Sequence, residues 1–407
     1  MKKLFIVLII AFSLITTAQE DIVARTKKQN PTVKVSTVSL DGKIKDGILS
    51  NIQKCGWFTL TNSPTANYSI SFTNAGTGKI SVVIKDTSGA VLPRGQYTHD
   101  VSTLKNNWVQ HRIVDEVIAR IYKPESKICS SRIAFSGSRR GIKEIYTVDF
   151  DGSNLKQETD YRSITVEPAW SPDNRYISYT VYGRQNASLI QKDLFTNKHR
   201  LLSSFRGLNS GAAFHPKGDK IILTLSKDNN VDLFILPLGN TKAGYPVTRN
   251  SNIESSPVWA PDGLKVAYVS AGMRSNGKIA SPRLHILDMA QKRAWPLFKD
   301  GVERVSPDWS KSNLLTYAKR DGRQYVLAIC DPNNPGSEKI IAAGGGDWEA
   351  PSWAPDGRHV VCSFTQNRYT ILYIIDTITG AKKPIRLLQK GQPYFDKMTL
   401  PAWSNLY

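Results

Sequence analysis

From residue 132 onward the hydrophobic residues come in short runs of four or five, rich in Val, Ile, Leu and Tyr and broken by Gly, Asn and Asp. No run there keeps helical spacing, so the pattern predicts β-strands separated by turns. The runs fall into two phases. Tyr176-Ile-Ser-Tyr179 and Lys265-Val-Ala-Tyr268 represent the first, Leu233-Phe-Ile-Leu236 and Leu372-Tyr-Ile-Ile375 the second, and each phase occurs six times. A Pro-x-aromatic motif, intact or decayed, accompanies them at Pro168-Ala-Trp170, Ala212-Ala-Phe214, Pro257-Val-Trp259, Pro307-Asp-Trp309, Pro351-Ser-Trp353 and Pro401-Ala-Trp403. The aromatic-to-aromatic steps are 44, 45, 50, 44 and 50 residues. A period of roughly 40–50 residues with an aromatic landmark marks a blade array. One repeat then reads as a Pro-x-Trp strand, a Pro-Asp-Gly type turn and three further strands, which is one propeller blade. The expected fold is mainly β: a six-bladed β-propeller over residues 126–407, preceded by a small α/β domain. The array begins at Arg132 with no Pro-x-Trp strand before it and ends just after Trp403. The C-terminal strand is therefore expected to complete the first blade and close the ring, which removes two exposed edges.

Residues 31–125 alternate between the two periodicities. Val33, Val35 and Val38 predict a strand, and Ile44, Ile48, Leu49 and Ile52 a helix ending at Gly56. Runs at 68–72, 79–86 and 94–99 predict strands. A second helix is expected to start near Asp100 and to carry Trp108, Val109, Ile113, Val117, Ile118 and Ile121 on its apolar face. Residues 124–131 are expected to be a linker. At the start of the chain, Met1-Lys2-Lys3, an apolar stretch from Leu4 to Ile15 and the small residues up to Ala18 predict a secretory signal peptide over 1–18, cleaved between Ala18 and Gln19. The apolar stretch is too short to span a bilayer. The mature chain is expected to be exported, with residues 19–30 as an N-terminal tail.

The formal net charge is +20, or +18 without Lys2 and Lys3. The cations are scattered along the chain rather than gathered on one element with interleaved aromatics, which argues against a nucleic-acid reader. They are read as a solvated basic surface, with attraction to anionic envelope partners as the alternative. The four cysteines form no C-x-x-C pair and the six histidines fall at different repeat phases, so no metal site is expected. No Gly-x-Ser-x-Gly elbow, P-loop or dinucleotide fingerprint is present. No cofactor is expected. The aromatics of the repeat are explained by packing between blades. Glu167, Glu254 and Glu349 stand three to five residues before their Trp and are expected on loops at one face of the ring. A polar rim that binds a partner is the simpler reading; acid–base catalysis in the channel, of lyase or lactonase type, is the alternative.

An exported chain with a small α/β domain followed by Pro-x-Trp-Ser-Pro-Asp repeats resembles the TolB family of the Tol–Pal envelope system. The likeness is densest at Gly211-Ala-Ala-Phe214-His-Pro-Lys-Gly218 and Leu233-Phe-Ile-Leu-Pro-Leu238, and again at Pro401-Ala-Trp-Ser404. The resemblance implies a non-enzymatic periplasmic scaffold that supports outer-membrane integrity and constriction at cell division. It would bind the peptidoglycan-associated lipoprotein Pal at the propeller mouth, and its N-terminal tail would dock onto its own body or onto a TolA-like inner-membrane protein. By that resemblance the partner-facing residues are Leu208, Asn209, Ser210, Gly211, Glu254 and Ser255. Repeat phase adds Glu167, Arg304, Glu349 and Lys397.

Overall fold

A computed structural model describes residues 29–101, 108–227, 230–239, 244–273, 277–389 and 391–406. The expected signal peptide with its Ala18–Gln19 cleavage point, most of the tail and the expected start of the second helix lie outside the described residues. Among them, no helix is long and apolar enough to cross a membrane.

The first part is a five-stranded sheet with two helices. The central strand Tyr68–Asn74 pairs in parallel with Thr32–Val38 and antiparallel with Lys79–Lys85, and Val91–Asp100 forms one edge. The helix Gly42–Lys54 is capped by Asp41, whose carboxylate accepts from the Lys43 amide at 2.9 Å. Gly56, at φ 77°, turns the chain away just beyond it. The second helix is Val109–Ile121, and Asp100 is the last residue of the preceding strand rather than a helix start.

The predicted linker is a packed turn. Ile128 and Cys129 are buried in a hydrophobic cluster that runs without a break from the helices (Ile52, Val117) into the strands beyond residue 132 (Phe135, Val148). Asp115, on the second helix, accepts the backbone amides of Ile128, Cys129 and Ser130 at 2.7–2.8 Å, which satisfies three donors that burial would otherwise orphan. Two histidines add to the same junction. His111 lies between Asn51 and Asp149, and His359, held by Asp356 at 2.6 Å, abuts Gly56 so closely that a Cβ there would meet its ring at 2.3 Å. Composition predicts a linker here because Pro, Ser and Lys are common in it; burial of Ile128 and Cys129 decides otherwise.

Beyond residue 132 the chain is β-structure in the predicted phases, with the β-propeller fold. Strands Ile253–Trp259, Lys265–Ala271, Arg283–Asp288 and Arg293–Pro296 form one antiparallel four-stranded sheet, and the repeats starting at Asn209–Phe214 and Arg304–Trp309 form two more. The strand Lys397–Trp403 pairs antiparallel with Arg132–Arg139, Trp403 standing opposite Ile133. The Pro-x-Trp strands converge on a cavity of about 760 Å³ lined by all six motif copies. Trp170, Trp259, Trp353 and Trp403 are buried, while Phe214 and Trp309 are partly covered. Their indoles tie repeat to repeat: Trp170 donates to the Ala402 carbonyl at 3.0 Å and Trp259 to that of Ala213 at 3.2 Å. The two 50-residue steps have separate causes. One repeat carries the long 272–282 connection between its second and third strands. The other carries an added hairpin, Leu388–Gln389 with Gln392–Pro393.

Candidate functional site

Every Pro-x-Trp strand breaks register at the same place. The residue before the motif proline, or its equivalent, has positive φ in all six copies: Glu167 58°, Gly211 60°, Ser256 51°, Ser306 52°, Ala350 47° and Leu400 53°. Each coincides with a shift in strand register. A bulge sets two residues against one and re-aims the side chains on either side of it. Only Gly211 adopts this backbone without steric cost. Sequence reasoning misses the feature because five of the six residues are not glycine.

The bulge changes where the predicted site residues stand. Glu167, Glu254 and Glu349 lie within strands, not on loops. They are one, three and two residues before their prolines, so they do not share an orientation. Glu167 bridges two repeats: its carboxylate accepts from the Gly211 amide at 2.9 Å and from the Thr180 hydroxyl at 3.2 Å, and burial raises its pKa. Glu254 is fully buried. Oε1 accepts from Asn250 and Ser270, at 2.8 and 3.2 Å, while Oε2 has no partner. Burial pushes this carboxyl up from 4.5 to about 7, with Asp232 adding to the shift. Glu349 is half-buried, and burial, reinforced by Asp347, raises its pKa too.

Arg304 is not a rim residue. It is 1 % exposed, bidentate to Asp300 at 2.8 Å, bound to Glu338 at 2.9 Å, and stacked 3.7 Å over the Phe298 ring. Its charge is spent inside the protein, where removing a partner leaves a buried ion uncompensated. Asn209 is likewise internal. Its amide donates to the Ala187 and Phe205 carbonyls at 3.0 and 2.7 Å, and its oxygen accepts from Ser203 at 2.6 Å, which clamps the 203–209 turn. Ser210 is buried beside it.

Leu208 and Ser255 are half-buried and Lys397 is exposed. With Gly211 and Glu349 they stand at one end, where the Pro-x-Trp strands begin. Pairing fixes this end: Asn209 lies opposite Leu225, Ile253 opposite Ala271, Asp347 opposite Thr365 and Lys397 opposite Ser138. Here Leu208 is held by a reciprocal pair of bonds, its amide donating to the Ser226 hydroxyl at 2.7 Å and its carbonyl accepting from the Ser226 amide at 3.1 Å. The arrangement is a rigid, mixed polar and apolar rim suited to holding another surface.

The cavity opens at the opposite end, where the Trp residues lie. Its lining is mainly Pro, Ala and the motif aromatics, with Ser and Asn residues, Lys311 and Asp308 as the polar groups. Asp308 accepts the backbone amides of Trp309 at 2.9 Å and Trp353 at 2.6 Å, and burial raises its carboxyl to about 6. Both oxygens are thus occupied, Oδ1 within its own strand and Oδ2 by the first strand of the next repeat. None of the three glutamates lines this cavity. Among the described residues no group of three His, Cys, Asp or Glu is placed to hold a metal ion.

Comparison with known proteins follows the same lines. The family described as TolB beta propeller domain matches residues 125–407. A Protein TolB homolog of Chlorobium chlorochromatii (strain CaD3) is 30 % identical over 212 residues, covering 51 % of this chain and 46 % of that protein. The Tol-Pal system protein TolB of Anaeromyxobacter sp. (strain K) is 34 % identical over 149 residues, 37 % of this chain and 34 % of that protein. The chain thus aligns with half or less of the length of these relatives. A crystal structure of TolB from Acinetobacter baumannii superimposes with a TM-score of 0.79 at 21 % identity, over 94 % of this chain and 98 % of that one, which shows a shared fold. With the family matched across more than half its length, the chain belongs to the TolB β-propeller family.

Proposed function

We propose that the protein is a non-enzymatic scaffold of a Tol–Pal system, located in the periplasm, that binds a Pal-like lipoprotein at the mouth where the Pro-x-Trp strands begin. In this reading the propeller has six blades, the C-terminal strand completes the first, and the scaffold supports outer-membrane integrity and constriction at division. The N-terminal tail would dock onto the protein's own body or onto a TolA-like partner. The observation that carries the reading is the mouth itself. Leu208, Ser255, Glu349 and Lys397 share one end, where the Pro-x-Trp strands begin and each carries a bulge. The relatives named as Tol–Pal components support it. The alternative of catalysis in the channel draws no support from the cavity's described residues, because Asp308 is the one side-chain carboxylate among them and each of its oxygens accepts a backbone amide.

The test uses two partly exposed mouth positions. Leu208→Glu combined with Ser255→Glu is expected to weaken binding of the soluble domain of the same organism's Pal-like lipoprotein by about tenfold or more, as an interface residue does when truncated or charged. The thermal midpoint should stay within a few degrees. Unchanged affinity in a folded double variant would remove the mouth from the binding surface. Glu254 and Arg304 are unsuitable for this purpose, since changes there test the fold.

A further inference from the structure

The fold redistributes the charge that looks scattered in the sequence. In each repeat the hairpin joining the second and third strands points to the mouth end, because the second strand's last residues pair with the first strand's first: Tyr182 with Ile164, Ala271 with Ile253, Lys319 with Arg304. Each of the six hairpins carries an exposed cation: Arg140, Arg184, Lys227, Arg283, Arg323 and Arg368. None of the six is in an ion pair among the described residues. The exposed carboxylates at this end are fewer than these cations, namely Asp160, Asp300, Asp321 and Asp396; Asp300 is paired with Arg304, Asp160 lies 3.8 Å from Arg162, and Asp396 accepts from the Arg140 amide at 2.9 Å. The opposite end differs for a local reason. Its Pro-Asp and Gly-Asp turns bring exposed carboxylates, Asp173, Asp219 and Asp262, beside Arg175, Lys217 and Lys265. The opposite end also exposes Lys198, Lys292, Arg293, Lys382 and Lys383, but on turns that follow Asp193, Asp288 and Asp376, so positive charge without a nearby carboxylate is greater at the mouth.

Apolar groups stand between the cations of the mouth. Tyr182, Phe205, Met273, Ile279 and Tyr369 are 39–60 % exposed at the same end. We propose that this end docks a protein face that is acidic and partly apolar, and that the lipoprotein of the preceding section presents that face; the inference rests on that reading. Unpaired arginines offer planar forks that fit carboxylates bidentately. Their summed field reaches about 8 Å into solution at physiological ionic strength and steers an anionic partner. A hydrated anionic glycan would leave the apolar tips in water. A protein surface with its own apolar centre would cover them, as aromatic and arginine-rich interfaces do.

The experiment measures association and dissociation rates of the mature chain with the lipoprotein's soluble domain, and separately its binding to phosphatidylglycerol vesicles. Raising salt from about 50 to about 500 mM is expected to slow association with the domain about tenfold or more. The triple variant Arg184→Glu, Arg323→Glu, Arg368→Glu should do the same at low salt with little change in dissociation or in the thermal midpoint, and the corresponding triple Lys variant should keep most of the rate. Binding that ignores both salt and charge reversal would overturn the acidic-face inference and leave the binding reading standing. No binding even at low salt would overturn both. Charge-dependent capture of vesicles that exceeds capture of the domain would assign the end to a membrane surface and overturn the protein-face inference.

Discussion

Deleting residues 397–407 is expected to leave a chain with no cooperative fold. The strand Lys397–Trp403 buries Met398 and Trp403 and supplies the antiparallel partner of Arg132–Arg139. Trp403 also donates to the Ser131 hydroxyl at 2.8 Å, Ser404 exchanges bonds with the Arg132 backbone, and Asn405 and Leu406 bind the 172–174 turn. Removing one buried Trp costs about 3–5 kcal/mol and one buried Met about 2–5 kcal/mol. Their sum already rivals the roughly 5–15 kcal/mol that holds a typical domain together. The deletion would also expose the Arg132–Arg139 edge as a template for association. Denaturant titration followed by circular dichroism checks this. A truncated chain that stays soluble and keeps the parent midpoint would show that the C-terminal strand is dispensable.

Glu254→Gln is expected to stabilise the protein above neutral pH by about 3 kcal/mol, and to change little near pH 4. The carboxyl is fully buried with one oxygen unpartnered, and its pKa is raised from 4.5 to about 7. The folded chain therefore holds a proton that the unfolded chain releases near pH 4.5. The contribution to stability is fully present below about pH 4.5, falls as pH rises towards 7, and is flat beyond. A shift from 4.5 to about 7, at about 1.4 kcal/mol for each pH unit, sets the size. Glutamine keeps the acceptor for Asn250 and Ser270 and has no charge to bury. Because other groups titrate in the same range, the informative quantity is wild type minus variant in unfolding free energy across pH 4 to 8. A difference that does not change with pH would mean that Glu254 is solvated or paired in solution.

The repeat was readable because its chemistry is local. Proline and an aromatic at fixed spacing, followed by Asp or Gly for the turn, mark each first strand whatever surrounds it, and the β-branched runs mark the next two. The phase argument also led to the pairing of Trp403 with the strand that starts at Arg132. The orientation of the mouth side chains was not readable. Counting residues back from Trp assumes strict alternation, and the bulge before each proline breaks it. Glu254 therefore falls inside the sheet and Glu167 between repeats, although both looked like rim residues. Arg304 was misread for a different reason. Its partners Asp300 and Glu338 lie 4 and 34 residues away, and no pattern in the sequence pairs them with it. The gathering of charge at one end was hidden as well, since the six cations are separated by whole repeats and meet only when the hairpins point the same way.

The end carrying Leu208, Ser255 and Lys397 is the proposed docking surface. Hydrogen exchange of the full mature chain with and without the soluble lipoprotein domain tests it most directly. Slowed exchange is expected over residues 205–211 and 249–256 and at the hairpin around Arg368, with the turns at 171–176 and 260–264 and the N-terminal sheet unchanged. Protection confined to those turns or to that sheet, with none at the mouth, would contradict it.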